Sequence, residues 1–327
     1  MNPYALIDLH LHLDGSLSLA SVRELAALAD KEIENDDCAL LKNLQVSPDC
    51  RDLNEYLKKF DFPCALLQTP AALTKAVSNL RRELAEQGLL YAEIRFAPQF
   101  HLAKGMTQTE VVAAAVAGLE GEGVKANLIL CCMRMPDNHE TNLETVRVAR
   151  EFLGKGVCAV DLAGAEARFP TCDFEAEFTL ARELGIPYTI HAGEADGPES
   201  IRAALRLGAQ RLGHGVRCIE DEALMAELAE KGIPLELCPT SNIQTCIFEK
   251  IADYPMGKLL DAGIRATLNT DNMMVSGVTL SSEADHMEKM LTRAQMAQIV
   301  DNSINAVFAD EETRAWLRRE AKARLEG

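Results

Sequence analysis

The chain has 327 residues, 48% of them hydrophobic and 25% charged, which suffices for one large α/β barrel or two ordinary domains. Its formal net charge of −17 argues against nucleic acid or an anionic membrane as partner, because both select a basic patch, yet it leaves an uncharged nucleoside open. The cysteines form no C-x-x-C pair, no apolar run approaches the ~20 residues of a membrane span, and no basic leader precedes the first strand, so a reduced, cytoplasmic protein is predicted.

The first predicted element is the strand "ALIDLHLHLD" (5–14). Side chains two apart share one face of a strand, so His10, His12 and Asp14 stand in a row with leucines behind them. Two neutral imidazoles facing one space suit a metal ion, although hydrogen-bonded core histidines give the same pattern. Residues 15–88 then separate this strand from the next, more than a single helix needs. The segment reads as a helical lid on the side where strand one ends. Within it, "DLNEYLKKFDF" opens on a capping box from Asp52 to Glu55. Leu57, Phe60 and Phe62 either roof a pocket or only pack the inserted helices together.

Seven more strand-like runs follow, at 89–98, 125–134, 157–164, 187–194, 211–215, 234–241 and 265–271. Most are nearly continuous apolar stretches, as in parallel strands covered on both faces. Helical patterns separate them, many stopped by glycine. Eight such units predict an α/β fold, a (β/α)8 TIM-type barrel spanning 1–327 as one domain with the 15–88 lid inserted. The helices after Asp271, with Trp316 among them, wrap the outside.

Function in such barrels sits where strands end. His10, His12 and Asp14 end strand one, "HAGE" with His191 and Glu194 ends strand five, "GHG" with His214 ends strand six, and "TDN" with Asp271 and Asn272 ends strand eight. His10, His12, His191 and Asp271 make a nitrogen and oxygen ligand set that favours one Zn2+ per chain, with other divalent transition metals admissible. Zinc brings the pKa of a bound water to about 7. Glu194 can supply a proton to a substrate, and His214 can orient or deprotonate the water, which makes this equipment for hydrolysis. A second metal lacks a bridging lysine, since strand four ends "DLAGAE", where Asp161 and Glu166 are not clearly aimed at the rim. Gly164 there exposes its backbone to a ligand. His101, His139 and His286 read as solvated or structural.

Together "HLHLDGS", "DLAG", "HAGE", "LGHG" and "NTD", in this order and spacing, resemble the adenosine deaminases of the metal-dependent amidohydrolase superfamily. The resemblance extends to "YAEIRFAP" and "DNSINAVF". It implies a mononuclear zinc enzyme that converts adenosine, and 2′-deoxyadenosine, to inosine or its deoxy form and ammonia in purine salvage. His10, His12, His191 and Asp271 would hold zinc, with His12 also beside the substrate and Asp271 also counted as catalytic. Glu194 would protonate purine N1, His214 would position the attacking oxygen, the Gly164 N–H would meet N3, and Asp14 would hold a ribose hydroxyl. Relatives that act on free adenine carry Glu where this chain has Asp14, which favours a nucleoside. One departure stands out: the family usually reads "DDP" where this chain has "TDNMMV". An Asn272 amide donates to N7 at any pH, whereas an acid must first be protonated. The same change also fits a modified aminopurine nucleoside. The cytidine-type motifs H-x-E and P-C-x-x-C are missing. Rival readings are another hydrolase on this scaffold, acting on adenine or a cyclic amide, and a non-catalytic zinc-binding protein, against which Glu194 and His214 argue.

Overall fold

Each of the eight apolar runs forms a parallel strand in the computed structural model, which describes residues 4–326. The strands are β1 (Leu6–His12), β2 (Leu89–Phe96), β3 (Lys125–Arg134), β4 (Val157–Gly164), β5 (Thr189–Ala192), β6 (Arg211–His214), β7 (Leu235–Leu237) and β8 (Ala266–Leu268). Those of the second half are shorter than the runs that predicted them. There the run leaves the ladder early and turns onto the rim, where its polar residues are presented.

Strands β1 to β4 pair in order, as do β5 to β8. Two seams join the halves. At one, Val160 bridges to Tyr188 and its N–H donates to Pro187 O at 3.0 Å. At the other, His12 N–H donates to Asp271 O and Asp271 N–H donates to His10 O, both at 2.8 Å. The ring is therefore closed and leaves no free edge. It is a (β/α)8 barrel.

Five helices lie between β1 and β2: α1 (Leu19–Leu28), α2 (Asp37–Leu44), α3 (Leu53–Leu57), α4 (Asp61–Leu66) and α5 (Pro70–Glu86). The others are α6 (Gln108–Ala117), α7 (His139–Phe152), α8 (Glu175–Glu183), α9 (Pro198–Leu207), α10 (Glu222–Lys231), α11 (Pro239–Gln244), α12 (Met256–Asp261), α13 (Met273–Ser276), α14 (Leu280–Glu288), α15 (Arg293–Ala306) and α16 (Glu311–Glu326). Only part of the 15–88 insertion overhangs the barrel. Helix α5 starts at a Thr69 cap with Pro70 in its first turn and packs on β2, α6 and α1, in the outer ring. The residues that reach over the mouth come mainly from α3, α4 and their flanks. Half of the expected capping box forms at α3: Asp52 accepts the Glu55 N–H at 3.0 Å, but the Glu55 carboxylate turns to Arg51 Nε at 3.1 Å. A guanidinium is the stronger donor and outcompetes the neutral backbone.

Helix α15 packs on β1 and β8, and α16 on β2, so the C-terminal helices do cover the outside. Trp316 is partly buried there, with Lys125 Nζ 5.8 Å from its ring centre. No helix among the described residues is long and apolar enough to cross a membrane.

The barrel interior is charged rather than apolar. Glu93 pairs with Arg211 at 2.7 Å, Arg211 with Glu236 at 2.6 Å, Glu236 with Arg95 at 2.8 Å, and Arg95 with Asp161 at 2.9 Å. All five are buried. Taking such charges from water costs several kcal/mol each, and only alternating, mutually bonded partners make the arrangement tolerable. The lower end of this chain is stoppered by the "NAVF" segment after α15. Arg211 donates to Ala306 O at 2.8 Å, its guanidinium stacks 3.9 Å over the Phe308 ring, and Phe308 N–H donates to Glu93 at 2.6 Å.

Candidate active site

The upper end of the ion-pair chain reaches the imidazoles on β1 and β5. His10 Nδ1 lies 2.8 Å from Glu236, and His191 Nδ1 lies 2.9 Å from Asp161. A carboxylate on Nδ1 fixes ring orientation and leaves Nε2 free as a ligand. The ring centres of His10 and His191 are 4.5 Å apart, and His12 is 5.4 Å from each. Asp271 Oδ1 stands 3.4 Å from both His10 Nε2 and His12 Nε2. Donor atoms of His10, His12, His191 and Asp271 all lie within 4.8 Å of one another.

These four fit a divalent transition ion. Two donors about 2.1 Å from a tetrahedral centre stand about 3.4 Å apart, which is the spacing of Asp271 Oδ1 from two of the nitrogens. His10 Nε2 is buried with no hydrogen-bond partner, a costly state that a bound cation relieves. Burial also drives His12 well below, and His191 below, the usual histidine range, so neither needs to lose a proton to bind metal at neutral pH. Burial pushes the Asp271 carboxyl up, but the nearby histidines outweigh it and hold it far below the carboxylate range. Ser241 Oγ donates to Asp271 Oδ2 at 2.6 Å and leaves Oδ1 to the cluster.

Glu194 follows β5 at the edge of this cluster. Burial first, then the charges of Asp271 and Glu166, push its carboxyl well above the usual range, which favours the protonated form. Its Oε1 is buried and makes no hydrogen bond. The loop bearing it is held by Glu166. That carboxylate accepts the N–H groups of Gly193, Glu194, Ala195 and Asp196 at 2.7–3.0 Å and the Ser200 hydroxyl at 2.5 Å. Neither acid of "DLAGAE" is thus idle: Asp161 holds the His191 ring, and Glu166 organises the loop that carries Glu194.

His214 Nε2 faces Glu194 at 3.6 Å. Behind it, Asn242 Nδ2 donates to Nδ1 at 3.1 Å, while Asn242 Oδ1 accepts from the Tyr254 hydroxyl at 2.9 Å. This network makes Nδ1 the acceptor and puts the ring proton on Nε2. Burial also drives His214 well below the usual histidine range. A neutral ring with its N–H toward the cavity is a donor there. His214 and Asp271 both have left-handed backbones, with φ of 57° and 61°. Such conformations cost about 1–3 kcal/mol in non-glycine residues and concentrate at functional sites.

All of this opens into a cavity of about 890 Å³, lined by His12, Asp14, Gly164, His191, Glu194, His214, Asp271 and Asn272. Gly164 has φ of 109°, so a side chain there would be strained, and its backbone meets the cavity directly. The motif "DGS" grips the start of α13, just after β8. Gly15 O accepts Met274 and Val275 N–H, Ser16 Oγ accepts Met273 N–H at 3.1 Å, and a Cβ on Gly15 would fall 1.9 Å from Asn272 Oδ1.

The lid contributes Leu53, Tyr56, Leu57, Phe60 and Cys64 to the cavity wall. Phe60 meets the His12 ring edge-on at 6.2 Å. Phe62 is the exception among the expected residues: it packs against the main core and does not line the cavity. A short 3-10 turn, Lys58–Phe60, breaks the helix between α3 and α4, and the two phenylalanines leave it toward different surroundings. Tyr56 went unpredicted. It is buried, and its hydroxyl bonds Ser276 Oγ at 2.6 Å. Its signal was an aromatic four residues before Phe60, one helical turn away.

The other histidines lie outside the cavity. His101 is buried, and its surroundings lower it to about 4. His139 Nδ1 sits 2.7 Å from Glu177 and is paired rather than merely solvated. His286 lies on α14 beside Glu283.

Glu283 supports the site from behind, accepting the Thr240 N–H at 3.0 Å in the first turn of α11, which carries Ser241 and Asn242. Burial raises its carboxyl from 4.5 to about 7 against the Thr240 bonds that lower it. A carboxyl raised on folding stabilises fully below its unfolded value, and that contribution is lost as pH rises through about 7. Glu283→Gln keeps the acceptor and removes the charge. Its Tm is expected to exceed the wild-type value at pH 8.5 by an amount reflecting up to about 3 kcal/mol, and to gain little at pH 5. Thermal melts at the two pH values check this; an equal difference at both would contradict it.

Comparison with known proteins agrees with this geometry. The family model described as adenosine deaminase matches residues 5–323. The adenosine deaminase of Haemophilus ducreyi is 48% identical over 325 residues, covering 96% of this chain and 94% of that protein. Among solved structures, an adenine deaminase from Arthrobacter aurescens has a TM-score of 0.88 at 28% identity, covering 99% of this chain and 100% of that one. An N6-mAMP deaminase from Arabidopsis has a TM-score of 0.86 at 26% identity, covering 98% of each chain. With its barrel closed around three imidazoles and an aspartate and its length matched almost end to end, the chain belongs to the adenosine deaminase family.

Proposed function

We propose that this enzyme hydrolyses the 6-amino group of adenosine, and of 2′-deoxyadenosine, to give inosine or its deoxy form and ammonia, using one zinc ion held by His10, His12, His191 and Asp271. When bound, such an ion makes water a competent nucleophile at neutral pH. The observation that carries the reading is Glu194, a buried carboxyl 3.6 Å from His214 Nε2 at the edge of a four-donor cluster, with burial favouring its acid form.

The chain's own residues divide the work. Glu194 gives its proton to purine N1, drawing electrons from C6 as the oxygen of water adds there. His214 donates from Nε2 to that oxygen and stabilises the charge it carries. Asp271 contributes negative charge and Oδ1. The Glu194 carboxylate recovers a proton from the adding water, the remaining proton of the new C6 hydroxyl passes to the amine, and the C6–N bond breaks to leave the C6 carbonyl and ammonia. The Gly164 N–H meets N3, Asn272 donates to N7, and Asp14 accepts a ribose hydroxyl. His12 and Phe60 border the base, and the lid excludes water. The family resemblance at Asp14 favours a nucleoside over the free base. Asn272 gives a second reading some support, a modified aminopurine nucleoside as the preferred substrate.

A panel assay tests both. Ammonia release is expected with a kcat/KM for adenosine at least about 100-fold above that for adenine, reflecting the lost sugar contacts. 7-Deazaadenosine, which lacks the N7 acceptor, is expected to be about 10-fold poorer or worse. A preference for an N6-substituted nucleoside would move the assignment to the second reading, and parity of 7-deazaadenosine with adenosine would remove the Asn272 contact.

A further inference from the structure

We propose that Cys64, on α4 of the lid, is a positioning residue for sugar recognition, its thiol turning the Asp14 carboxylate so that one oxygen faces the ligand. This rests on the reading that Asp14 meets a ribose hydroxyl. Cys64 Sγ lies 3.2 Å from Asp14 Oδ2, and both residues line the cavity. Asp14 is only 6% exposed, and its Oδ1 is buried and makes no hydrogen bond. A buried acceptor without a donor costs about 1–3 kcal/mol, and a hydroxyl brought by the ligand would relieve that cost. The thiol thus occupies one oxygen and leaves the other for the sugar.

The element carrying the thiol is pinned. Gln68 Nε2 donates to Cys64 O at 2.7 Å and to Phe100 O at 2.9 Å, and Gln68 Oε1 accepts Ala103 N–H at 3.0 Å. These bonds tie the end of α4 to the loop after β2, so the thiol is presented from a fixed place. Burial, with the Asp14 charge adding to it, pushes the Cys64 thiol well above its usual range. It therefore stays protonated and acts as a donor rather than a nucleophile. A thiol is a weak donor, so it orients the carboxylate while leaving its charge available to a ribose hydroxyl. Because Cys64 rides on the lid and Asp14 on the barrel, sugar recognition depends on the lid being docked.

Steady-state kinetics on the metal-replete full chain test this. Cys64→Ala is expected to raise the KM for adenosine about threefold to tenfold with kcat within about twofold, and Cys64→Ser to restore most of the loss. Cys64→Val, close in volume but without a donor, should match Cys64→Ala and covers the case in which the smaller side chain destabilises the lid. Against 2′-, 3′- and 5′-deoxyadenosine, the KM penalty should vanish for the one analogue that lacks the hydroxyl met by Asp14. An unchanged KM in both Cys64→Ala and Cys64→Val, or an equal penalty with every analogue, overturns the proposal. Asp14→Ala separates the two levels: if it raises KM for adenosine and the Cys64 variants do not, only the role of Cys64 fails. If Asp14→Ala is also neutral, the reading of Asp14 fails with it.

Discussion

Glu194→Gln is expected to lower kcat for adenosine by about 10³-fold while metal content and Tm stay at wild-type values. The expectation follows from the protonation state. Burial and the neighbouring charges of Asp271 and Glu166 favour the neutral carboxyl, which the neutral amide replaces at almost the same size and charge. What the amide cannot do is release a proton to N1. The fold is therefore expected to tolerate the change and the reaction is not. Metal analysis and a thermal melt on the same preparation distinguish this from indirect damage. In the wild type, the acid form is the working form, so activity should fall as pH rises through the raised value of Glu194. A variant retaining more than about a tenth of wild-type kcat would remove Glu194 as the proton donor.

Removal of the metal is expected to abolish turnover, by more than about 10³-fold, and to lower Tm by several degrees, with both restored by zinc. The stability effect arises because the four donors are already gathered. Without an ion, His10 Nε2 stays buried and unpaired, while one of the imidazoles facing the Asp271 carboxylate, His12, is kept from charging by burial. An ion present at a thousand times its Kd adds about 4 kcal/mol to the folded state. Chelation followed by dialysis, with metal measured in the same sample, provides the check. Full activity in protein shown to be metal-free would sink the assignment of these four residues.

The strand ends were legible because rim residues are polar in otherwise apolar runs. "HLHLD", "HAGE" and "GHG" each break the pattern at the place where a strand stops. The residues that orient the ligands were not legible in the same way. Asp161 and Glu236 sit as single charges inside apolar runs and Arg95 follows Glu93 by two in another, and no local pattern says what any of them faces until the strands are closed into a ring. Glu236 meets His10 across 226 positions of sequence, a pairing no local pattern encodes. The eight units predict the barrel, but not which charges face its axis. The lid shows the limit of periodicity in a short element. Helices α3 and α4 have five and six residues and are separated by a 3-10 turn, so a 3.6-residue repeat puts Phe60 and Phe62 on different faces but does not say which face meets the cavity.

The seam between β1 and β8 carries a consequence for how the protein is made. The peptide groups of His10, His12 and Asp271 sew the ring shut, and their side chains are three of the four in the proposed ion site. On the ribosome, the opening strand must wait for nearly the whole sequence to emerge before its partner exists. Catalytic competence arrives in a single late event, and a message cut short upstream of codon 271 yields no fragment with partial function.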